Sequence, residues 1–478
     1  MSRRGSIGVL ILGAMWIGCG HAQAEPPRRY ASQLAAESAE LIRRAIRRPY
    51  GWAWDAAASS EANDHPQPRT VSMEPLATPA AGLVLLWTGR FLGETRDVAA
   101  AEQVARGVAA AQESTGRVRS YPVYGPMAGG RQALIPIPDR TATRCALGLL
   151  LASIESDQAD NPHQQQIRGA AARASHWLAT QQSPNGLWPS TFPPGPRTRQ
   201  TIRLVRLDDP DYRDSTYALL LAFDLLHDDG LHHRSTLPLD GLLRLRLVSD
   251  VHGPGLWCTA CTVEGTDIPA AFPNGPDLLA SRYAMQTLLG GYLLTGDRNL
   301  SSALNAAATT LMQVKRGDGL YDRFLDPTAA ADMARAVGNA PATQSFFGQP
   351  RAQPASQPAG SQCVLVNRSL GGSFGIPELL DAIAHLQSNG PDRFAAALAS
   401  GFSIHQQIEA SLCGLIDDPL TLDFPVGAQG VPAYVSSHAD LWKWTDGPPP
   451  DQLGDRVQRL WILLIRAKLE RMSGAGGS

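Results

Sequence analysis

Nine charged residues crowd the segment 197–214: Arg197, Arg199, Arg203, Arg206, Asp208, Asp209, Asp211, Arg213 and Asp214. Asp139-Arg140-Thr141 lies upstream of it, and Gly319-Leu320-Tyr321-Asp322-Arg323-Phe324 downstream. Carboxylates interleaved with arginines suit a site for an acidic polymer. Carboxylate oxygens hold a hard cation such as Ca2+, and a guanidinium pairs bidentately with a substrate carboxylate. Asp139, Asp209 and Asp214 are therefore the candidate Ca2+ ligands, and Asp139 and Asp214 the candidate catalytic carboxylates. Arg206, Arg323, Trp188 and Tyr321 are candidate substrate contacts. Each has a plainer reading. Asp139 and Asp214 stand where they would cap helices starting at Thr141 and Ser215, and a charge run is commonly a solvated loop. Trp188, Phe192, Trp257, Tyr321 and Phe324 would then close structural repeats rather than stack on sugar rings.

The elements that must position these residues are helical hairpins. Apolar residues three and four apart predict helices over 30–47, 80–91, 97–112, 141–154, 167–180, 215–226, 241–249, 278–294, 300–314, 377–387, 394–415 and 455–472. The pairs end in related stretches. Gln182-x-x-x-Gly186-x-Trp188 is the fullest, Gln112-x-x-x-Gly116 and Gln313-x-x-x-Gly317 are partial, and Gly255-x-Trp257 lacks the Gln. The glycines that close the repeats, Gly51, Gly116, Gly186, Gly255 and Gly319, fall 64 to 70 residues apart. A Gly there supplies a tight or left-handed turn, and the Gln bonds main-chain groups nearby. A hairpin that buries its face only on its neighbours builds a solenoid or, when closed, a ring. The expected fold is all-α, an α/α toroid of about five to six hairpins. No stretch alternates long enough to predict a sheet.

The chain of 478 residues is 44% hydrophobic and 18% charged, with a net charge of -2. That balance does not suit nucleic acid or an anionic membrane surface. Lys315, Lys443 and Lys468 are the only lysines, so a cationic site group is expected to be arginine. Arg3-Arg4, an apolar run over 7–17 and Ala22-Gln23-Ala24 read as a signal peptide spanning 1–24. The run is too short to span a bilayer, and no later segment is apolar enough to do so. The expectation is an exported protein, periplasmic or extracellular, with a lipidated Cys19 as the lesser alternative. The main part of the toroid is expected over 25–338, a Pro/Ala/Gln/Ser-rich loop or linker over 339–362, closing hairpins over 363–472 and a tail over 473–478. Cleavage leaves Cys145, Cys258, Cys261, Cys363 and Cys413. The lone C-x-x-C does not match a zinc ribbon, and the pairing stays open.

Several of these stretches, in this order, resemble the pectic acid lyases, the pectate lyases built on an α/α toroid. They are Asp139-Arg-Thr-Ala-Thr, Gln182-Ser-Pro-Asn-Gly-Leu-Trp-Pro-Ser-Thr-Phe-Pro, Asp214 before a helix, Leu256-Trp257-Cys258 and Asp322-Arg323-Phe324. The resemblance spans about 139–326, and its most specific part is Asn185-Gly186-Leu187-Trp188-Pro189. It implies Asp139 and Asp214 at a substrate and calcium site, and Arg323 as a substrate-binding arginine. The chain departs from the pattern at Pro269-Ala270-Ala271-Phe272-Pro273, where Ala270 stands in place of the family's base arginine. Arg213 replaces an asparagine before Asp214, and the later R-D-G is missing. β-Elimination needs a base and a neutraliser for the enolate-like intermediate. Arg282 and Arg206 are the remaining candidates for a displaced base.

Three functions are consistent with these residues: a uronide-acting lyase assisted by Ca2+, a non-catalytic binding or scaffold toroid that has lost the base, and a glycoside hydrolase using Asp139 with Asp214. The Gln-Gly-Trp repeats also resemble those of triterpene cyclases, but the chain has no D-x-D-D motif. The expected partner is an acidic polysaccharide.

Overall fold

Carboxylates set four of the helix starts. Asp209, Asp228, Asp277 and Asp297 each accept the N–H two residues on, which satisfies a donor the helix cannot use itself. Gly93 and Gly296 end helices with φ of 73° and 71°, a left-handed conformation that costs glycine little.

The computed structural model describes residues 29–54, 69–120, 123–124, 139–154, 162–192, 202–246, 255–263, 275–325, 371–372, 375–399, 402–417, 419–420 and 450–475. The signal-peptide reading, the 339–362 linker and Ala270 lie outside them. The described residues are mostly helical, with α1 (Arg29–Arg43), α2 (Thr78–Leu92), α3 (Thr95–Ala111), α4 (Arg140–Ile154), α5 (Pro162–Thr180) and α6 (Pro210–Leu226). Then come α7 (Asp229–Leu245), α8 (Leu278–Thr295), α9 (Arg298–Gln313), α10 (Ile376–Ala399), α11 (Ile404–Leu412) and α12 (Leu453–Ala475). α10 breaks at Gly390, ahead of Pro391.

Two rows of helices result. α2, α4, α6 and α8 pack on one another in succession, and α3, α5, α7 and α9 form a second succession behind them. Burial follows the sequence pattern. α2 is buried continuously from Thr78 to Gly89, whereas α9 buries one face, Leu300, Ala303, Leu304, Ala307, Ala308, Thr310 and Leu311. α10 continues the rows against α8 and α9, and α12 packs on α1 and α2, so the last helix meets the first two. α11 packs on both α4 and α6, and every residue from Gln407 to Leu412 is buried. A helix whose last six residues are all buried is a core element. Among the described residues no helix is long and apolar enough to cross a membrane.

The repeat glycines show why the hairpins recur. A Cβ on Gly51 would lie 2.1 Å from Gly107 N in α3, and one on Gly116 would lie 2.0 Å from Arg173 O in α5. At Gly186 it would lie 2.6 Å from Leu237 in α7, and at Gly255 3.2 Å from Ala307 N in α9. Each of these four turns therefore presses its backbone onto the outer helix of the next hairpin, whereas Gly319 meets only the Lys315 side chain, at 3.9 Å. The glutamines make the same connection. Gln112 Nε2 donates to Ala170 O at 2.9 Å, and Gln182 Nε2 to Arg234 O at 2.9 Å.

The structure corrects three expectations. Helix α6 begins at Pro210 rather than Ser215, because Asp209-Pro210 supplies a cap and a first-turn proline. Asp214 is thus one turn inside the helix and caps nothing. Helix α7 begins at Asp229, twelve residues before the expected start at Gly241, and carries Pro238 within it. Short strands also occur: β1 (Ile46–Arg48) with β2 (Gly51–Ala53), β3 (Arg69–Thr70) with β4 (Val123–Tyr124), and β8 (Tyr321–Asp322) with β9 (Gly371–Gly372). β5 (Pro189–Phe192), β6 (Ile202–Arg206) and β7 (Ala260–Thr262) form an antiparallel three-stranded sheet with Val205 opposite Pro189 and Cys261. Strands of two to five residues are too short to show periodicity.

Candidate functional site

The starts of α4, α6 and α8 meet the end of α11 in a region built from arginines and aspartates. Arg140 and Arg144 come from the first turns of α4, where both reach Asp211 in the first turn of α6. Arg140 Nη1 also donates to Pro189 O at 2.8 Å, and Arg144 Nη1 to Ser215 Oγ at 3.0 Å. Burial, with Arg144 beside it, pushes the Arg140 guanidinium down to about 9, and burial likewise lowers Arg144.

Asp214 sits next in α6 and is 6% exposed. Its Oδ1 accepts Arg213 Nε at 2.8 Å and Ser411 Oγ of α11 at 2.9 Å. Arg213 distributes its other donors to Gln286 Oε1 at 2.8 Å, Asp417 O at 2.6 Å and Ser411 Oγ at 3.0 Å. Tyr283 lies against both Arg213 and Arg282, with ring centroids 5.3 and 5.2 Å from the guanidinium carbons. Burial opposes the Arg213 charge, yet Asp214 and its other neighbours hold its pKa above the usual value. Burial lowers Arg282.

Alongside α8 a second run of charges alternates. Arg206 Nε and Nη2 grip Asp208 at 2.9 and 2.8 Å, and Arg323 Nη2 reaches the same carboxylate at 3.0 Å. Arg323 also donates to Asp277 at 3.3 and 3.4 Å, and Asp277 accepts Thr259 Oγ1 at 2.8 Å. Backbone bonds fix this arrangement, because Leu278 N donates to Arg323 O at 2.8 Å. The two sides differ in exposure. The Asp208 and Asp277 side chains are 6% and 0% exposed, and those of Arg206 and Arg323 are 32% and 31% exposed. The outward surface is therefore cationic and the anions lie beneath it. Burial raises the Asp277 pKa, against the pull of Arg323 and Thr259, and Asp208 holds Arg206 up.

The sequence-derived candidates separate into two groups. Arg206 and Arg323 are brought together through Asp208. Asp139 is elsewhere, paired with Arg117 and accepting Ser120 N at 3.2 Å, so its carboxylate ties the 117–120 turn to α4. Asp209 accepts the Asp211 N–H at 2.8 Å as the α6 cap. Asp139, Asp209 and Asp214 thus serve three different sets of partners, and among the described residues no three His, Cys, Asp or Glu side chains gather as a metal site. Trp188 and Tyr321 are each 1% exposed, and Trp188 Nε1 donates to Thr216 Oγ1 at 3.0 Å, so both close repeats. Asp277 and Ser411 were not singled out from the sequence. Asp277-Leu278 carries a helix-start signal, whereas the approach of Ser411 across the fold leaves no local trace. No family model matches the chain, and no curated protein matches it.

Proposed function

We propose that the chain is an exported α/α toroid that binds acidic, uronate-type polysaccharide without cleaving it. The observation that carries this reading is the pair of half-exposed guanidiniums, Arg206 and Arg323, held side by side on the buried carboxylate of Asp208. Two guanidiniums pre-ordered on one anchor place two partly exposed positive charges side by side, a pairing that carboxylates complement. The two rows of helices and the packing of α12 on α1 and α2 support ring closure. The occupied state of Asp139 and Asp214 supports binding over elimination, since each serves an arginine and α11 covers Asp214. The lyase reading keeps one support of its own. Burial moves Arg282 in the direction a guanidine base needs.

One experiment separates the two. Purified protein is run through gels containing polygalacturonate, and unsaturated uronide absorbance is followed with Ca2+ and with chelator. Retention of the wild type, its loss on Arg206→Ala plus Arg323→Ala, and flat absorbance are expected. A Ca2+-dependent rise in absorbance would establish the lyase instead. Absence of retention on every uronate polymer tried would remove the glycan reading. Export is tested by sequencing the N-terminus of protein recovered outside the cytoplasm, which is expected to begin at Glu25.

A further inference from the structure

The geometry points to a disulfide between Cys145 and Cys413 that fastens α11 to α4 when the chain folds under oxidising conditions. Cys145 lies in α4 and Cys413 at the end of α11, both fully buried. Cys413 Sγ donates to the Cys145 carbonyl oxygen at 3.3 Å, which puts the two cysteines side by side. The same spot is pinned from a third side, because Leu76 N donates to Cys413 O at 2.9 Å. The helices approach closely here, since a Cβ at Gly148 would meet both Cys413 Sγ and Glu409 O at 3.6 Å.

The packing gives the bond a purpose. α11 has nine residues, is buried from Gln407 to Leu412 and carries Gln407, Glu409 and Ser411 into the interior. So short a helix is marginal alone, and its place depends on contacts made from a distant part of the chain. A cross-link between positions 268 apart restricts the unfolded chain strongly. In the reaction each thiol loses its proton, and the pair gives two electrons to a low-molecular-weight disulfide such as oxidised glutathione. The oxidant's S–S bond breaks as the protein's forms, and two glutathione thiols leave. Because both sulfurs are buried, the exchange takes place before α11 settles against α4. The inference does not depend on the glycan reading.

The test refolds the full chain with oxidised and reduced glutathione, alkylates it in denaturant and maps tryptic peptides without reduction. A peptide from α4 joined to a peptide from α11 through Cys145 and Cys413 is expected. The oxidised protein should also melt higher than the dithiothreitol-treated protein by on the order of 5 °C. Cys145→Ala or Cys413→Ala should abolish that gap. Alkylated Cys145 and Cys413 in folded, oxidised protein, or either one joined to Cys258, Cys261 or Cys363, would overturn the assignment.

Discussion

Ser411 Oγ donates to Asp214 Oδ1 at 2.9 Å across 197 residues of sequence, joining the end of α11 to the second turn of α6. With Arg213 on the same oxygen, the carboxylate that the sequence offers as catalytic serves as an internal fastener. Asp214→Ala should therefore destabilise the fold by about 3–5 kcal/mol, because it strands a buried guanidinium. Ser411→Ala should cost about 1–2 kcal/mol, since Arg213 still satisfies the oxygen. Replacing both charges, Arg213→Met with Asp214→Leu, should recover most of the loss. Urea unfolding of the four proteins checks the order. An Asp214→Ala variant as stable as wild type would return this residue to the list of functional carboxylates.

The repeat glycines carry a stability prediction that separates space from conformation. Gly116 and Gly186 have φ of 95° and 84° and no room for a Cβ against α5 and α7. Gly93 and Gly296 share the left-handed conformation, but nothing lies within 4 Å. Gly93→Ala and Gly296→Ala should cost about 1 kcal/mol for the conformation alone. Gly116→Ala and Gly186→Ala should cost about 3 kcal/mol or more, or leave insoluble protein, because two hairpins must separate. Equal melting temperatures for all four would remove the close approach as the reason for the repeat.

Lys468 predicts a pH dependence. Its Nζ lies 3.4 Å from the centroid of Phe402, and burial, with Arg471 nearby, pushes its pKa down to about 7 from 10.5. Between those values the unfolded chain binds a proton that the folded chain does not, so stability rises with pH across the window. The gain is of order a few kcal/mol between pH 7 and 10. Lys468→Met should lift stability at pH 7 and flatten the slope relative to wild type. Parallel pH profiles for the two proteins would show that the amine is charged and solvated in the folded state.

How far the sequence disclosed this arrangement depends on the range of each interaction. The hairpins were legible because three-and-four spacing and the Gln and Gly endings are local, and the structure puts Gly51, Gly116, Gly186 and Gly255, with Gln112 and Gln182, on neighbouring hairpins. The helix starts were legible only in part. Apolar spacing alone places the start of α8 at Leu278, whereas passing over Asp209-Pro210 displaced Asp214 from the interior to a cap. The role of the charged segment was not legible. Arg206 pairs two residues away, but Arg323 reaches Asp208 from 115 residues on, and Arg213 meets Asp417 204 residues on. Such partners are set by the packing of α6, α8 and α11, which no local pattern encodes.

The cationic face over Asp208 predicts its own salt and substitution behaviour. A guanidinium that meets carboxylate at a half-exposed site is screened by ions, so retention on polygalacturonate should fall steeply as salt rises from about 0.05 to 0.5 M. Arg323→Lys keeps the charge but loses the planar fork that spans Asp208, Asp277 and an incoming carboxylate, so it should retain little of the binding. Asp208→Asn tests the anchor separately. It leaves both arginines in place but frees them from a common partner, so binding should weaken several-fold while the salt dependence is kept. The melting temperature of Arg206→Ala should change little, because a half-exposed ion pair contributes about 1 kcal/mol or less. Retention unchanged in Arg206→Ala, Arg323→Lys and Asp208→Asn alike would move the binding surface away from this pair, and gel retardation at three salt concentrations is enough to decide it.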